Sequence, residues 1–278
     1  MNLRYSTPSD LPGIKTLMKT VFGDSNRFIE LFFRFLYHDN VLLYEQNNTP
    51  ISMAFLLPAF MQIQNEKVPM TYLYACATSS KHRGKCLMNN IIDKAYHDIC
   101  SKDEAGLFLL PASESLYHYY AGLGFNDFFY YHEMSYSQDV SSNSREQSEY
   151  CIERITGEEY YKLRSLFLKK EYAIHYPKSH FQLLQEDEKQ GIFFTIIKKN
   201  QTKGISFIQK KGPILYLREL LGQDINQEKL NQCFFTKYDL QYIKTIQPGN
   251  DKKSAVIRLN KKYDFLSEMR GYFNFALD

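Results

Sequence analysis

A short basic loop between a strand and a helix is the segment of this sequence best suited to chemistry. The stretch from Thr71 to Ile92 is TYLYACATSSKHRGKCLMNNII, and its loop ends in Arg83-Gly84-Lys85. The first turn of a helix leaves backbone N–H groups unpaired at the positive end of the helix dipole, where phosphates bind. Arg83 and Lys85 add positive charge, and Gly84 lets a bulky anion approach the backbone. The loop predicts a pyrophosphate site, although a glycine and two cations before a helix are also typical of ordinary turns.

The histidines and cysteines do not follow a metal-binding pattern. The chain has seven His and five Cys, without a CxxC or HExxH motif. His97 and Cys100 are three residues apart on a predicted helix, a spacing that more often arises by coincidence than from a metal site. We therefore predict no bound metal, and we expect the cysteines to be reduced thiols in a cytoplasmic protein.

The elements around the basic loop alternate between strands and helices. Over residues 1–135, hydrophobic periodicity and turn signals predict the order βααβββαβαβ. The helix after the loop has apolar residues at helical spacing from Leu87 to Ile99. A strand at Gly106 to Pro111 and a helix at Ser113 to Gly122 follow. An aromatic strand from Phe125 to Met134 is then expected to close the first sheet.

A polar, serine-rich stretch divides the chain. Its sequence, SYSQDVSSNSREQSEY, is typical of a linker. We predict a first domain at 1–138, a linker at 139–150 and a second domain at 151–278. The second half repeats much of the element order with unrelated residues, ending in a strand from Gly271 to Ala276. The predicted fold is α/β with mixed sheets, built from two similar units in tandem.

Composition and charge exclude several classes of protein. Hydrophobic residues make up 44% of the chain and charged residues 23%, which is typical of a globular protein. The longest apolar run is too short and too interrupted for a membrane span. The net charge of +3 divides into about −3 for residues 1–140 and +6 for the remainder. Because the lysines are scattered, we expect neither nucleic acid nor membrane as a partner.

The loop also resembles a known coenzyme-binding motif. The segment ATSSKHRGKCLMNNII is similar to the acyl-CoA-binding motif of the GNAT superfamily of N-acetyltransferases, Arg/Gln-x-x-Gly-x-Gly/Ala after a central strand. Arg83 takes the first position, whereas Cys86 and Met88 replace the usual small residues. Leu87-Met88 is similar to the motif ending in the Eis-like (enhanced intracellular survival) branch of tandem acetyltransferases. The resemblance implies that residues Arg83, Gly84, Lys85, Cys86, Leu87 and Met88 contact acetyl-CoA.

A second block supports the same family. Residues 107–125, LFLLPASESLYHYYAGLGF, resemble the Pro-Ala-Ser-Glu segment of the Eis-like branch followed by the Tyr-x-x-x-Gly-Phe ending of many GNAT enzymes. The resemblance implies that a tyrosine four residues before Gly124 protonates the departing CoA thiolate. That tyrosine is Tyr120, with Tyr117 and Tyr119 as alternatives in register. A packing role in a tyrosine-rich chain is the alternative interpretation.

The same resemblance assigns the rest of the coenzyme site. The thioester carbonyl is expected to bind a backbone N–H of the central strand among Cys76, Ala77 and Thr78. The pantetheine arm is expected between this strand and the strand that ends at Pro111. Ser113 and Glu114 are then expected near its far end, although both residues also suit helix capping.

The general base is harder to assign from the sequence. His118, Glu30 and Glu45 are the available groups in the first half. Members of the Eis-like branch use a chain-terminal carboxylate near the catalytic tyrosine, which makes Asp278 a candidate. The second unit has no Arg-x-x-Gly motif. We therefore expect it to bind no coenzyme and to form a wall of the acceptor cleft.

The sequence thus predicts an acetyl-CoA-dependent N-acyltransferase with two tandem GNAT-like units, the second degenerate. The acetyl group would pass directly to a primary amine of a small molecule or peptide in a ternary complex. A non-catalytic GNAT-fold module that binds CoA as a sensor ligand is the alternative, motivated by Cys86 and the missing base. The sequence leaves a homo-oligomer open.

Overall fold

The computed structural model describes residues 1–138, 149–187 and 191–275, which form two β-sheets with helices packed against them. The helices are α1 (Leu11–Phe22), α2 (Asn26–Phe35), α3 (Leu87–Ser101), α4 (Glu114–Ala121), α5 (Gly157–Phe167), α6 (Lys178–Glu186) and α7 (Gln227–Lys237). Short 3-10 turns lie at Pro8–Asp10, Ser80–His82 and Lys261–Leu266. No helix within these ranges is long and apolar enough to cross a membrane.

The first sheet holds the strands on either side of the basic loop. In spatial order they are β1 (Asn2–Tyr5), β2 (Val41–Gln46), β3 (Thr49–Ile63), β4 (Glu66–Thr78), β5 (Gly106–Leu109), β15 (Val256–Leu259) and β6 (Asn126–Asp127). A short strand, β9 (Ile174–His175), pairs with β3. Only β4 and β5 run parallel among these described pairs.

The second sheet has a similar arrangement. Its strands in spatial order are β14 (Lys252–Lys253), β7 (Tyr130–Ser137), β13 (Tyr242–Pro248), β12 (Ile214–Gly222), β11 (Gln201–Lys211), β10 (Ile192–Lys198) and β8 (Cys151–Arg154). β12 and β13 are parallel. The mixed α/β fold with two similar units is therefore confirmed.

The two halves exchange strands. β15 belongs to the second half of the chain but lies between β5 and β6 in the first sheet. β7 precedes the predicted linker but pairs with β13 in the second sheet. The prediction of one closing strand at Phe125–Met134 is wrong, because β15 takes the position beside β5 and only β6 remains in the first sheet.

The predicted strand at Gly271–Ala276 is also not formed in the described residues. Gly271 and Tyr272 make isolated bridges to Phe129 and Ala173, so this segment joins both halves without extending a sheet. Residues 139–148 of the predicted linker lie outside the described residues. The division into domains stays a prediction.

Turn and capping residues set the ends of the first two helices. Gly23 ends α1 with a φ of 74°, a left-handed conformation that glycine adopts without steric cost. Ser25 then caps α2, because its hydroxyl accepts a hydrogen bond from the N–H of Phe28. This turn fixes the angle between α1 and α2 beside the central strand.

An aromatic core joins the two halves. Tyr72 of β4 stacks on Phe108 of β5 with ring centroids 5.0 Å apart, and Phe273 packs edge-on against both rings. On the side of the second half, Tyr160 and Phe193 lie 4.5 Å apart between centroids. The same cluster includes residues of α1, α2, α5 and α6, so the halves share one hydrophobic core.

A buried ion pair lies at the same junction. Arg164 of α5 and Glu219 of β12 are 2% and 0% exposed, and their side chains are 2.8 Å apart. Tyr160 and Tyr272 also donate hydrogen bonds to the Glu219 carboxylate. Arg164 donates to the carbonyl of Ile174. Each charge thus has several partners, which offsets the cost of removing it from water.

Candidate active site

The central strand β4 separates from its parallel neighbour β5 to leave a cleft. The two strands pair only at Thr71–Leu107 and Tyr72–Phe108. Beyond Tyr72, β4 continues to Thr78, and it contains one residue more than the facing segment of β3. The bulge includes Ala75, whose φ is +49°. A bulge increases the local twist and bend of a strand, so it turns β4 away from β5.

The predicted thioester-binding residues lie on this free edge of β4. Cys76 and Thr78 are half-buried, and Ala77 is buried. The Thr78 side chain contacts Ser52 of β3 at 2.7 Å. Beyond Tyr72, the edge that faces β5 has no strand partner within the described residues, which leaves a place beside β4 for an extended ligand.

The basic loop leads directly from β4 to α3, as predicted. Gly84 has a φ of 74°, and a Cβ atom added there would meet nothing within 4 Å. Cys86 is the N-cap of α3 with a φ of 54°. In the part of the chain that the structure describes, the backbone N–H groups of residues 84–89 donate to no protein acceptor. The loop is therefore an open cradle for an anion at a helix N-terminus.

The side chains of the motif divide into exposed and anchoring groups. Arg83, Lys85 and Cys86 are exposed, and the Arg83 Nε donates to the carbonyl of Thr78 at 3.2 Å. Leu87 is buried, and Met88 packs against the hydrophobic cluster that includes Leu73 of β4 and Tyr120 of α4. Leu87 and Met88 hold the helix start against the sheet, while the charged side chains remain available.

Sequence reasoning missed one residue that shapes this loop. His82 hydrogen-bonds through Nδ1 to Ser79 at 2.7 Å and through Nε2 to Gln46 at 3.0 Å. These contacts tie the loop to β2. A histidine in a loop gives no signal of such a partner, since Gln46 lies far away in the sequence.

Tyr120 is the buried member of the three tyrosines on α4. It is 6% exposed, and its hydroxyl lies near the Cys76 thiol. Burial raises the pKa of Tyr120 well above its usual value, and the nearby Cys76 raises it further. Burial likewise raises the pKa of the Cys76 thiol, to about 12. Both groups therefore stay protonated at neutral pH.

The other two tyrosines point elsewhere. Tyr117 donates to the carbonyl of Ser254 at 2.5 Å, and Tyr119 donates to Asn89 at 2.7 Å. Of the three predicted alternatives, Tyr120 is the buried one.

The remaining predicted site residues are Ser113, Glu114 and Asp278. Ser113 is the N-cap of α4 and Glu114 its first residue; both are exposed. They follow β5 and thus lie on the far side of the cleft from α3. Asp278 lies outside the described residues.

The base candidates of the first half differ in their surroundings. Glu45 is bound by Arg4, whose Nη2 lies 2.6 Å away. Glu30 and His118 are exposed. The geometry brings none of the three to the Tyr120 hydroxyl.

The described residues contain no group of histidine, cysteine and carboxylate side chains that could bind a metal ion. Within the described ranges, no three such groups are close enough together to hold an ion. None of the five cysteines, which all lie in these ranges, forms a disulfide.

The cleft and cradle fit an acyl-CoA. An open glycine, unpaired N–H groups and two exposed cations suit the diphosphate. The free edge of β4 suits the amides of the pantetheine arm. The residues present therefore suit the diphosphate and the pantetheine arm of such a ligand.

The first half also matches a family model. Residues 2–126 match the model described as "Acetyltransferase (GNAT) domain". This segment, which holds the cleft, the basic loop and Tyr120, is thus similar to GNAT acetyltransferase domains.

Solved structures of GNAT proteins share the fold across nearly the whole chain. A probable N-acyltransferase from Enterococcus faecalis has 13% identity and a TM-score of 0.75, covering 95% of this chain and 74% of its own. A GCN5-related N-acetyltransferase from Kribbella flavida has 13% identity and a TM-score of 0.69, covering 94% and 72%. Eis1 from Mycobacterium abscessus has 10% identity and a TM-score of 0.69, covering 96% and 75%.

These similarities define the fold as Eis-like. At such low identity they carry no information on substrate. A search of curated proteins by sequence finds no match.

Proposed function

We propose that this protein is a cytoplasmic N-acyltransferase that moves an acetyl group from acetyl-CoA to a primary amine. The observation that carries the proposal is the position of Tyr120. Its buried hydroxyl lies beside Cys76 on the free edge of β4, at the point where a thioester would enter the cleft.

Coenzyme binding follows from the cradle. The diphosphate would accept hydrogen bonds from the backbone of residues 84–88, with Arg83 and Lys85 nearby as cations. The pantetheine arm would extend along β4 toward Cys76, Ala77 and Thr78. Ser113 and Glu114 would face it from the start of α4.

The proposed reaction is a direct transfer in a ternary complex. The neutral amine nitrogen attacks the thioester carbonyl carbon, and a backbone N–H of β4 stabilises the oxyanion. The carbon–sulfur bond then breaks, and Tyr120 supplies a proton to the departing thiolate. The amine loses one proton to a base, for which Asp278 remains our candidate. The phenolate recovers its proton from solvent.

The acceptor is proposed only as a class. It is a primary amine of a small molecule or a peptide, and the second unit is proposed to wall its cleft. The modest net charge of the first half gives no support for a polycationic acceptor.

A CoA-binding sensor without turnover is the second candidate. Cys86 favours it, since this residue holds a left-handed backbone at the helix N-cap, where non-glycine residues are strained. A weakened coenzyme site would bind CoA without supporting efficient turnover.

The test is acetyl transfer by Tyr120→Phe, followed with a panel of amines. We expect kcat to fall by about 10²- to 10⁴-fold with little change in KM for acetyl-CoA, because only the proton donor is lost. Tyr117→Phe is the matched control on the same helix, since its hydroxyl donates to the carbonyl of Ser254, and it should retain activity.

One outcome would count against the role of Tyr120 and another against catalysis. Undiminished turnover by Tyr120→Phe would remove Tyr120 from the mechanism. Acetyl-CoA binding by the unmodified protein without transfer to any amine would favour the sensor.

A further inference from the structure

Helix α4, which carries Tyr120, forms hydrogen bonds to two different neighbours. The Tyr117 hydroxyl donates to the carbonyl of Ser254, just before β15, at 2.5 Å. The Tyr119 hydroxyl donates to Oδ1 of Asn89 in α3 at 2.7 Å. The Tyr119 bond thus joins α4 to the helix that begins at the coenzyme cradle.

Asn89 lies in the first turn of α3. The helix begins at Leu87, with Cys86 as its N-cap. Within the described residues, the backbone N–H of Asn89 donates to no protein acceptor, as is usual in the first turn of a helix. The backbone of Asn89 therefore belongs to the cradle, while its side chain contacts α4.

The Tyr119 hydroxyl lies near both ends of the coenzyme cleft. Burial and the neighbouring thiols of Cys76 and Cys86 raise the pKa of Tyr119 to about 12. Cys76 lies where the thioester is expected, and Cys86 lies at the start of α3. The hydrogen bond to Asn89 is therefore made at the cleft and not on a distant surface of α4.

The Tyr119 ring packs against the ring of Tyr120. Their centroids lie 5.1 Å apart in an edge-on arrangement. Tyr120 also packs edge-on against Phe125, with centroids 5.7 Å apart. Because Asn89 fixes the Tyr119 hydroxyl, the Tyr119 ring gives Tyr120 a fixed surface to pack against. The bond to α3 thus acts on where the Tyr120 hydroxyl lies.

Packing alone does little to hold α4 on the sheet. The helix is eight residues long, and Tyr120 is its one buried residue. Leu116, Tyr117 and Tyr119 are partly buried against the same hydrophobic cluster. Helices in proteins gain most of their stability from burial of an apolar face. A short helix with so little buried surface is therefore sensitive to the loss of a single hydrogen bond.

We propose that the hydrogen bond from Tyr119 to Asn89 holds Tyr120 in place beside Cys76, which makes Tyr119 and Asn89 positioning residues for the acid step. This inference rests on the proposed function, since it assigns both residues to that reaction. Loss of the bond leaves the cations and backbone of the cradle unchanged but misplaces the acid. We therefore expect the rate of transfer to fall without a loss of coenzyme affinity.

Steady-state kinetics of acetyl transfer test the effect on the reaction. Tyr119→Phe and Asn89→Leu should each lower kcat by about tenfold, with KM for acetyl-CoA unchanged within about twofold. The double variant should be no slower than either single variant, because both changes remove the same bond. Tyr117→Phe, which removes the bond to Ser254 from the same helix, is the matched control and should retain kcat.

The conservative variant Asn89→Asp separates the hydrogen bond from the rest of the side chain. It keeps an acceptor oxygen for Tyr119 and should therefore keep kcat. Its negative charge at the cradle should raise KM for acetyl-CoA, because it repels the diphosphate. Asn89→Leu and Asn89→Asp are thus expected to change opposite kinetic constants, which a general loss of structure at Asn89 would not produce.

Iodoacetamide labelling of Cys76 tests the position of Tyr120 without any turnover. The Tyr120 hydroxyl lies near the Cys76 thiol, so displacement of α4 should expose that thiol. We expect Tyr119→Phe and Asn89→Leu to label Cys76 at least about threefold faster than the unmodified protein, and Asn89→Asp to label it at the original rate. Cys100, which is half-buried near the other end of α3, should keep its rate and so report any general loosening.

Unchanged Cys76 labelling in Tyr119→Phe and Asn89→Leu would overturn the proposal. Additive losses of kcat in the double variant, or an equal loss in Tyr117→Phe, would also overturn it. Faster Cys76 labelling in a protein that transfers acetyl to no amine would support the placement of Tyr120 by Asn89 and contradict the proposed transferase. The two failures are therefore distinguishable.

Discussion

At the residue scale, the chemistry depends on which side chains reach the free edge of β4. Tyr120 does so because it lies on the buried face of α4, whereas the hydroxyls of Tyr117 and Tyr119 donate hydrogen bonds to Ser254 and Asn89. Its raised pKa keeps the phenol protonated at neutral pH, as the proposed role of proton donor requires.

Alkylation of the Cys86 thiol tests whether acetyl-CoA binds at the cradle. Cys86 and Cys151 are both exposed, and Cys86 lies at the N-terminus of α3. We expect saturating acetyl-CoA to slow iodoacetamide labelling of Cys86 by at least about tenfold, since bound ligand covers the native site. Peptide mass mapping would follow each residue over time.

Cys151 is the internal control for that experiment, and its labelling rate should not change. Cys76 should label slowly with or without ligand, because burial raises the pKa of its thiol to about 12 and the thiolate is the reactive form. Equal rates at Cys86 in both conditions would place the coenzyme elsewhere.

Some of these residues could be predicted from the sequence and some could not. The cations and glycine of the loop follow from local physics, and Tyr120 follows from a motif. The contact between Tyr120 and Cys76, and the link from His82 to Gln46, depend on how distant segments meet. No local sequence pattern predicts such long-range contacts.

At the element scale, the buried pair of Arg164 and Glu219 fixes α5 against β12. Arg164→Met should destabilise the protein by about 3 to 5 kcal/mol, because it leaves the Glu219 carboxylate buried without its cation. Urea unfolding followed by circular dichroism would measure the loss.

The double variant Arg164→Met with Glu219→Leu is the control that separates charge from packing. It should recover part of the lost stability, since no unpaired charge remains. A double variant less stable than Arg164→Met alone would contradict this account of the pair.

Most elements near the site could be predicted because their signals are local. The helix of α3 has strict apolar spacing, and the turn between α1 and α2 has a glycine followed by a capping serine. The exchange of β15 and β7 could not be predicted in the same way. Which strand lies beside β5 depends on pairing between residues far apart in sequence, and both strands are equally plausible from their own composition.

At the scale of the whole molecule, the halves share a core that contains two buried histidines. Burial lowers the pKa of His175 and of His180 to about 3 each. His180 also hydrogen-bonds the carbonyl of Phe275, which ties the last described residues to α6.

These histidines predict how stability depends on pH. The unfolded chain protonates them near pH 6.5, while the folded protein keeps them neutral, so the unfolded state binds more protons and stability falls as the pH drops below 6.5. Each histidine should lower the free energy of unfolding by about 2 kcal/mol between pH 6.5 and 5. Urea unfolding at both pH values would measure this.

His180→Gln should reduce that pH dependence, whereas His97→Gln should not, because His97 is exposed. An unchanged pH dependence in His180→Gln would show that this ring is not held neutral in the folded protein.

The central claim is that the cradle between β4 and α3 binds acetyl-CoA, and thermal unfolding tests it most directly. At about 100 times Kd, acetyl-CoA should raise Tm by about 5 °C or more, while adenosine alone should not. Arg83→Ala should lose most of the shift. Lys81→Ala, in the same loop but outside the motif, should keep it. No rise in Tm for the unmodified protein, or an equal rise in Arg83→Ala, would contradict the account.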